Sequence, residues 1–380
     1  MYKPQYITRL EKVGELSRFE REDLKEVTKH FAFRSNDYYQ SLIDWDDPED
    51  PIRRIIIPDL AELDGGGELD ASNEGAFRAV PGCEHKYRDT ALLLVNDVCG
   101  GYCRFCFRKR LFMNGNDEAM KNTEPGIRYI EKHPEINNVL LTGGDPFLLG
   151  TKKLEKIISR LRQIEHVSMI RIGTKMPAFN PFRIINDDYL PEMLSKYSTI
   201  EKKIYVMTHF NHPRELTGIA LEGIDILHKA GVLTANQTPF IRGVNDDPVT
   251  LQELFNTLAD AGIPPYYVFI CRPTRGNMSY TVPIEQCIEI FDEARVRCSG
   301  LAKRARLAMS HASGKIEVLG MTDDYVFFKY HRVVHLSQDS NFIICERNPG
   351  AFWFDDYDEA VAECLIDEAE ELIDIDRNFN

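Results

Sequence analysis

The sequence predicts an α/β fold organised around a parallel β-sheet. Six apolar runs alternate with amphipathic helical segments between about residues 91 and 300, a spacing typical of parallel strands joined by crossover helices. Directly after the first run, Cys99, Cys103 and Cys106 form a C-x3-C-x2-C pattern. Because parallel strands carry functional groups on the loops at their carboxyl ends, this edge of the sheet is the expected place for chemistry.

Three regions are expected along the chain. Residues 1–90 form an N-terminal helical extension, with one helix over 7–31 and turns after it where prolines recur. Residues 91–300 form the alternating region, and residues 301–380 form a C-terminal cap with short strands and an acidic tail. The predicted strands are 92–96, 138–142, 168–172, 203–208, 232–236 and 266–271, followed in the cap by 305–309, 316–319, 325–330 and 342–345. The predicted helices are 154–164, 190–196, 215–229, 250–261 and 284–298.

Composition excludes several classes of protein. The 380 residues carry a net charge of −14, which disfavours a general nucleic-acid-binding role, and 43% of them are hydrophobic, which allows a large core. Nine cysteines, an odd number in a long chain, argue against a disulfide framework and fit a reducing compartment. No signal peptide or membrane-spanning run is seen, so we expect a cytoplasmic protein without a membrane partner.

The three cysteines suit an iron–sulfur cluster better than a structural zinc site. Structural zinc is normally closed by four ligands, and no fourth cysteine or histidine stands at a matching spacing. Three thiolates on a [4Fe–4S] cluster leave one iron open to a small molecule. The four basic residues between 104 and 110 are expected to stabilise the negative charge of the cluster.

The cysteine loop resembles the signature of the radical S-adenosylmethionine (SAM) superfamily, and the wider pattern resembles the lysine 2,3-aminomutase family. Matching segments lie at 38–44, 81–82, 85–87, 99–106, 140–145, 171–174, 208–213, 236–237 and 242–245. The resemblance implies a partial (β/α)6 barrel, open on one side, with the cluster at its mouth. It also implies an enzyme that cleaves SAM to a 5′-deoxyadenosyl radical, which abstracts hydrogen from a small-molecule substrate, and an electron donor of the flavodoxin or ferredoxin type.

The resemblance assigns roles to individual residues. Arg108 matches the arginine that holds the substrate carboxylate, a task that suits a bidentate guanidinium. Relatives that dimerise through zinc carry C-terminal cysteines that are missing here, so any homo-oligomer is expected to form without zinc. The implied cluster ligands are Cys99, Cys103 and Cys106, and the implied SAM-binding residues are Gly143, Gly144, Asp145, Thr174, His209 and Gln237.

Family aminomutases also use pyridoxal 5′-phosphate (PLP), and here the pattern is altered. Lys315 matches the lysine that forms a Schiff base with PLP, which makes it the expected catalytic residue, and Tyr87 matches a tyrosine near the ring. Of the four glycines that precede this lysine in relatives only Gly314 remains, and Thr90 stands where relatives place an arginine on the phosphate. Three readings stay open: an aminomutase-like isomerase with PLP, a PLP-independent radical SAM enzyme that performs another hydrogen abstraction, and a non-catalytic iron–sulfur or SAM-binding module.

The substrate pattern departs from that of lysine-specific members. Those enzymes use two aspartates against the distal amine, where this chain has Arg272 and Ala308. An arginine repels an ammonium group and attracts a carboxylate, and glutamate-type relatives carry a basic residue at the first position. We therefore expect an amino-acid-like substrate other than lysine, with an acidic side chain favoured.

Overall fold

Residues 2–113, 115–116, 118–119, 122–334 and 342–357 are described by the computed structural model, and within them one large sheet forms the centre of the protein. The strands are β1 (Tyr6–Ile7), β2 (Ser35–Asn36), β3 (Arg78–Val80), β4 (Cys83–Tyr87), β5 (Thr90–Asn96), β6 (Asn138–Gly143), β7 (Met169–Thr174), β8 (Ile204–Thr208), β9 (Leu233–Phe240), β10 (Pro265–Ile270), β11 (Arg306–His311), β12 (Gly314–Met321), β13 (Tyr325–Val333) and β14 (Phe342–Glu346). The helices are α1 (Arg18–His30), α2 (Asp37–Gln40), α3 (Pro51–Ile56), α4 (Glu124–Glu131), α5 (Thr151–Arg162), α6 (Met176–Phe179), α7 (Phe182–Ile185), α8 (Tyr189–Tyr197), α9 (Gly218–Lys229), α10 (Pro248–Asp260) and α11 (Ile284–Val296).

The large sheet runs from β3 to β14 in chain order. Strands β5 to β11 are parallel, whereas β3 and β4 at one end and β12 to β14 at the other are antiparallel. The six predicted strands of the alternating region are all present. The structure adds β11 as a seventh parallel strand, because α11 returns the chain to the side of β10, where Val268 pairs with Leu307. The sequence predicts this run, 305–309, as part of the cap, because the alternation of strands and helices weakens after about residue 300.

Alternating side chains on the parallel strands separate an outer core from an inner face. On β7, Ile170 and Ile172 are fully buried in the layer between strands and helices, while Arg171 between them lies on the inner face and is half-buried. This period of two follows from strand geometry. The inner face of the sheet therefore carries the polar side chains.

The N-terminal helix is shorter than expected. The sequence predicts a helix over 7–31, but α1 begins at Arg18, because Ser17 caps it and forms a reciprocal capping box with Glu20. The residues before it form β1 and a short 3-10 turn. The extension then packs under the cysteine loop, where the Arg104 N–H donates to the Ile55 carbonyl oxygen over 2.9 Å.

Side-chain contacts show that the sheet curves into an open barrel. Arg332 on β13 donates to Thr90 on β5 over 3.3 Å and pairs with Asp89, although 242 residues separate Arg332 from Thr90 in the chain. Lys86 likewise donates to the His311 carbonyl oxygen of β11. Most of the predicted acidic tail, 358–380, lies outside the described residues. Among those described, no helix is long and apolar enough to cross a membrane.

Candidate active site

The three cysteines lie together on the loop after β5. Their thiols are free and partly buried, and the Cys106 N–H donates to the Cys103 carbonyl oxygen over 3.1 Å in a tight turn. Burial raises the pKa of all three thiols, and the negative charge of Asp145, followed by that of Cys106 and Cys103, raises that of Cys99 further. The three cysteines thus lie on one short loop, as shared binding of a cluster requires.

A cysteine binds a metal as the thiolate and not as the neutral thiol. Nearby positive charge stabilises the thiolate and therefore favours cluster binding. Four cations from three separate parts of the chain oppose the effect of burial on these thiols. Two come from the loop itself, one from the N-terminal extension and one from the loop after β7. These cations are Arg34, Arg108, Lys109 and Lys175.

Arg104 and Arg110 also pair with carboxylates outside the cysteine loop, which the sequence does not predict. The Arg104 guanidinium is 1% exposed and donates to the Glu62 carboxylate over 2.8 and 2.7 Å, and Lys109 Nζ lies 3.0 Å from the same carboxylate. Arg110 pairs with Glu74 over 2.6 Å. These side chains pair with carboxylates of the N-terminal extension, Glu62 and Glu74. No local sequence pattern links those carboxylates to the cysteine loop. The buried ion pairs hold the loop against the extension.

The predicted glycine pair lies against the backbone that leads into the cysteine loop. A Cβ on Gly144 would stand 2.4 Å from the Val98 carbonyl oxygen, and one on Gly143, whose φ is +103°, would stand 2.6 Å from that of Asn96. The Gly144 N–H donates to the Asn96 oxygen over 2.6 Å, and the Asp145 N–H donates to the Val98 oxygen over 2.9 Å. Only glycine permits this approach.

Asp145 and Thr174 join the loops after β6 and β7. Thr174 Oγ1 donates to Asp145 over 2.7 Å, and the Lys175 N–H donates to the other carboxylate oxygen over 2.8 Å. Burial raises the pKa of Asp145 to about 6. Both predicted side chains are engaged within the protein, so the backbone of these loops is what they present to a ligand.

The His209 ring contacts the cysteine loop. Its ring lies edge-on to Phe105 with ring centres 6.2 Å apart, and burial followed by the charge of Lys175 lowers its pKa to about 3, so the imidazole is neutral. Gln237 lies half-buried on the inner side of β9. Within the described residues neither side chain has a hydrogen-bond partner, whereas the neighbouring Asn236 makes four side-chain hydrogen bonds.

Lys315 lies among aromatic rings on the inner face of the barrel. Its Nζ is 4.0 Å from the ring centre of Tyr267 and 5.2 Å from that of Phe269. Burial, followed by repulsion from nearby cations, lowers the pKa of Lys315 to about 7. Tyr87 lies near the same place, with the Arg332 guanidinium 4.4 Å from its ring centre. The structure thus brings Tyr87 and Lys315 to one region, and near pH 7 a substantial fraction of the Lys315 amine is neutral.

Arg108 is occupied by the protein's own carboxylate. Its Nε and Nη2 donate to Glu74 over 3.0 and 2.6 Å, and Nη1 donates to Thr142 over 3.0 Å. Glu84 lies 3.9 Å away, and burial together with Glu74 raises the pKa of Glu84 to about 7. A substrate carboxylate at Arg108 would therefore have to displace Glu74.

Arg272, unlike Arg108, is not paired with a carboxylate of the described residues. Its guanidinium lies 4.8 Å from the ring centre of Phe107 and 5.5 Å from that of Trp353, and Nη2 donates to the Ser310 carbonyl oxygen. Nε and Nη1 are buried without a hydrogen-bond partner, and no carboxylate of the described residues lies within ion-pair distance. Ala308, the second departure from the lysine-specific pattern, is fully buried on β11 and offers no charge to an ammonium group.

Three further charged groups in this region, Glu74, Arg332 and Lys175, are not among the residues that the sequence singles out. Glu74 comes from a loop without a motif, and Arg332 comes from a cap strand remote from the cysteines, so no local signal marks either. Lys175 follows Thr174 directly, and its position at a strand end was a usable signal. Lys175 Nζ pairs with the fully buried Glu215 over 2.5 Å and donates to the His209 carbonyl oxygen over 2.8 Å.

Comparison with known proteins agrees with this arrangement. Residues 93–255 match the model of the Radical SAM superfamily. Over 362 residues the chain is 55% identical to a "Putative L-lysine 2,3-aminomutase" of Aquifex aeolicus, covering 95% of this chain and 97% of the relative. It is 37% identical to the L-lysine 2,3-aminomutase of Clostridium subterminale (78% and 72% covered) and 35% identical to the glutamate 2,3-aminomutase of Clostridioides difficile (77% and 68% covered).

Radical SAM enzymes use a [4Fe–4S] cluster and SAM, and lysine 2,3-aminomutases use PLP as well. The three clustered thiols, the loops that converge on them and the extent of these similarities identify the chain as a member of the lysine 2,3-aminomutase family of radical SAM enzymes.

Proposed function

We propose that this enzyme is a PLP-dependent 2,3-aminomutase acting on an amino acid with an acidic side chain. The observation that carries the substrate class is Arg272, a buried guanidinium with two unpartnered nitrogens and no carboxylate of the described residues within ion-pair distance. Burying an unpaired charge is costly, so such a site favours a ligand that brings an anion. Relatives at 35–37% identity include both a glutamate and a lysine 2,3-aminomutase, so the family accommodates an acidic substrate and Arg272 carries the choice between the two.

The residues around Lys315 fit PLP. A lysine forms a Schiff base readily when burial and neighbouring cations keep its amine neutral, and both causes act on Lys315. Its Nζ is the atom of this chain that would hold the cofactor. The rings of Tyr267 and Phe269 form an aromatic wall beside that nitrogen. When bound, the cluster and SAM supply a 5′-deoxyadenosyl radical, and PLP supplies the imine through which an amino group moves from C2 to C3.

The protein's own side chains would hold an acidic substrate at two points. Arg272 offers two free donors to the side-chain carboxylate, between Phe107 of the cysteine loop and Trp353 of the cap. Arg108 would take the α-carboxylate in exchange for Glu74, which frees the Glu74 carboxylate from a bidentate pair. Both arginines adjoin the cysteine loop, so this placement brings the substrate carbons next to the radical source.

Replacing Arg272 tests the substrate assignment. In anaerobically reconstituted enzyme with PLP, SAM and reductant, we expect wild type to convert glutamate to its β-amino isomer faster than lysine. Arg272→Gln should raise the KM for glutamate by about 10- to 100-fold, because charge-assisted hydrogen bonds contribute about 1.5–3 kcal/mol. Arg304→Gln, which removes an exposed arginine, is the matched control and should leave the KM unchanged.

Three outcomes would contradict the proposal. The substrate assignment is wrong if wild type turns over lysine and not acidic amino acids, or if Arg272→Gln leaves the KM for the acidic substrate unchanged. The aminomutase assignment is wrong if borohydride reduction traps no PLP on Lys315 while SAM is still cleaved to 5′-deoxyadenosine. That last result would favour a PLP-independent radical SAM enzyme.

A further inference from the structure

The neighbours of Lys315 form a concentration of positive charge. Burial is the first cause of its lowered pKa, and the others are the cations Arg171, Arg332 and Lys86. Within the described part of the chain, no carboxylate lies within 4.0 Å of Lys315 Nζ. We call these four residues the cationic cluster. Charges of one sign gathered on the inner face of a barrel favour binding of an anion.

Arg332 reaches the cluster from the cap. Lys315 and Arg332 are paired residues on neighbouring strands β12 and β13, so their side chains project from the same face of the sheet. From there the guanidinium crosses the open side of the barrel, lies over the ring of Tyr87 and donates to Thr90 Oγ1 over 3.3 Å. Arg332 therefore stands beside the first residue of the first parallel strand.

Arg171 reaches the same region from the opposite side. Its Nε donates to Asn138 Oδ1 over 2.9 Å, and burial lowers its pKa. Asn138 pairs directly with Thr90 across β5 and β6. Two guanidinium groups are therefore held by adjacent residues, one on Thr90 and one on Asn138, with the Lys315 amine near both.

Asp89 is the one carboxylate that pairs with the cationic cluster in the described residues, and it does not balance the charge. Its side chain is 49% exposed, and it contacts Arg332 alone by ion pairing. Arg171 forms no ion pair with any residue that the structure describes, and the Lys86 amine donates to a carbonyl oxygen. The cationic cluster thus offers hydrogen-bond donors and positive charge to a dianion.

We infer that Arg332, with Arg171, binds the phosphate group of PLP and so supplies from the cap the guanidinium that residue 90 does not provide. The inference rests on the proposed function in that PLP is the phosphate carrier. A phosphate at this point accepts hydrogen bonds from both guanidinium groups, and its two negative charges offset the repulsion around Lys315. Arginine suits this role because its planar guanidinium can donate two parallel hydrogen bonds to phosphate oxygens.

Inorganic phosphate tests the anion site without any covalent step. We expect phosphate, against chloride at equal ionic strength, to raise the unfolding temperature of wild type, because a ligand that binds the native state stabilises it. Arg332→Gln should lose this increase. Asp89→Asn is the matched control, since it breaks the same ion pair but leaves the guanidinium in place, and it should keep the increase or enlarge it.

A comparison of PLP with pyridoxal, which lacks the phosphate, isolates the contribution of Arg332 to cofactor binding. Wild type should bind PLP at least about tenfold more tightly than pyridoxal, as measured by borohydride trapping on Lys315 and peptide mass spectrometry. Arg332→Gln should reduce that ratio about tenfold and leave pyridoxal binding unchanged. Adding Thr90→Arg to Arg332→Gln should restore the preference, because Thr90 Oγ1 lies 3.3 Å from the guanidinium it would replace.

The results separate this inference from the function proposed above. If phosphate stabilises wild type through Arg332 but PLP is never trapped on Lys315, the PLP-dependent function fails while the anion site stands. If PLP is trapped on Lys315 and Arg332→Gln leaves both the PLP-to-pyridoxal ratio and the phosphate effect unchanged, the role of Arg332 is overturned. The role of Arg332 is also overturned if Asp89→Asn loses the phosphate effect just as Arg332→Gln does. That result would mean that the ion pair between the two residues supports the structure and that the guanidinium does not bind phosphate.

Discussion

Lys315 and Arg272 show two ways in which burial prepares a charged side chain for a ligand. Burial lowers the pKa of Lys315 to about 7, and its cationic neighbours add to the effect. Arg272 has its pKa lowered to about 10 by burial and keeps its charge at neutral pH, with two donors unpaired. These states are the basis on which we propose Lys315 as an amine nucleophile and Arg272 as an anion receptor.

Lys315 should react with PLP at lower pH than other lysines of the protein. Below pH 7 its amine is protonated and cannot attack an aldehyde, so trapping should rise as pH increases through about 7 and level off above it. The groups that face it are Lys86, Arg171, Arg332 and the neutral His331. Borohydride trapping followed by peptide mass spectrometry measures this profile.

Lys196 provides an internal control in the same digest. It is exposed, and hydrogen bonds to Tyr197 and Glu155 raise its pKa to about 12, so its trapping should stay low across this range. Equal profiles for Lys196 and Lys315, or a midpoint for Lys315 near the ordinary lysine value, would contradict the environment described for it.

At the scale of elements, loops from different strands are fitted together by backbone contact. The loop after β6 lies on the residues between β5 and the first cysteine, and its fit depends on the missing side chains of Gly143 and Gly144. The loop after β7 is tied to the same place through Asp145. The position of the cysteines is therefore set by neighbouring strand ends as well as by their own loop.

Gly144→Ala should disturb this junction. The added Cβ would lie 2.4 Å from the Val98 carbonyl oxygen and 2.6 Å from its nitrogen, so backbone must move, at a cost of about 1–3 kcal/mol in the free energy of unfolding. We expect a lower midpoint of chemical denaturation and less iron bound after reconstitution. Gly150→Ala is the matched control, since its Cβ meets nothing within 4 Å. Equal stability and iron content in the two variants would refute the role of the close approach.

At the scale of the molecule, the cysteine loop is where the N-terminal extension meets the barrel. The Tyr102 and Arg104 N–H groups donate to carbonyl oxygens of Arg34 and Ile55 in the extension, over 2.9 Å each. Asn277, beyond β10, donates to the Phe105 carbonyl oxygen over 2.7 Å. A cluster bound by this loop is therefore linked to both parts of the protein.

Cluster removal should destabilise the whole molecule for this reason. Protein reconstituted anaerobically with iron and sulfide should unfold at a higher temperature than cluster-free protein, because the cluster binds only the folded site. Circular dichroism with an iron assay measures both states. Cys99→Ala should bind little iron and show no increase on reconstitution. An increase of the same size in Cys99→Ala would mean that the three thiols do not hold the stabilising group.

Much of the fold and the cluster ligands could be predicted from local sequence. The runs at 92–96 and 138–142 are apolar and followed by glycine or cysteine loops, and each became a parallel strand that ends at the site. The helix predicted over 7–31 failed because capping by Ser17 sets its start. The strand β11 was placed in the cap because parallel pairing depends on where α11 returns the chain, which no local pattern encodes.

The sequence by itself determined the alternating α/β fold, the three cysteines on one loop and the family, because each depends on spacing within a few residues or on collinear similarity. Only the tertiary structure decided that Glu74 occupies Arg108, that Arg272 is left unpaired and that Arg332 stands beside Thr90. The curvature of the sheet brings residues from opposite ends of the chain together. Charged side chains pair with the groups that lie near them in space. The spacing of residues along the chain does not show which groups those are.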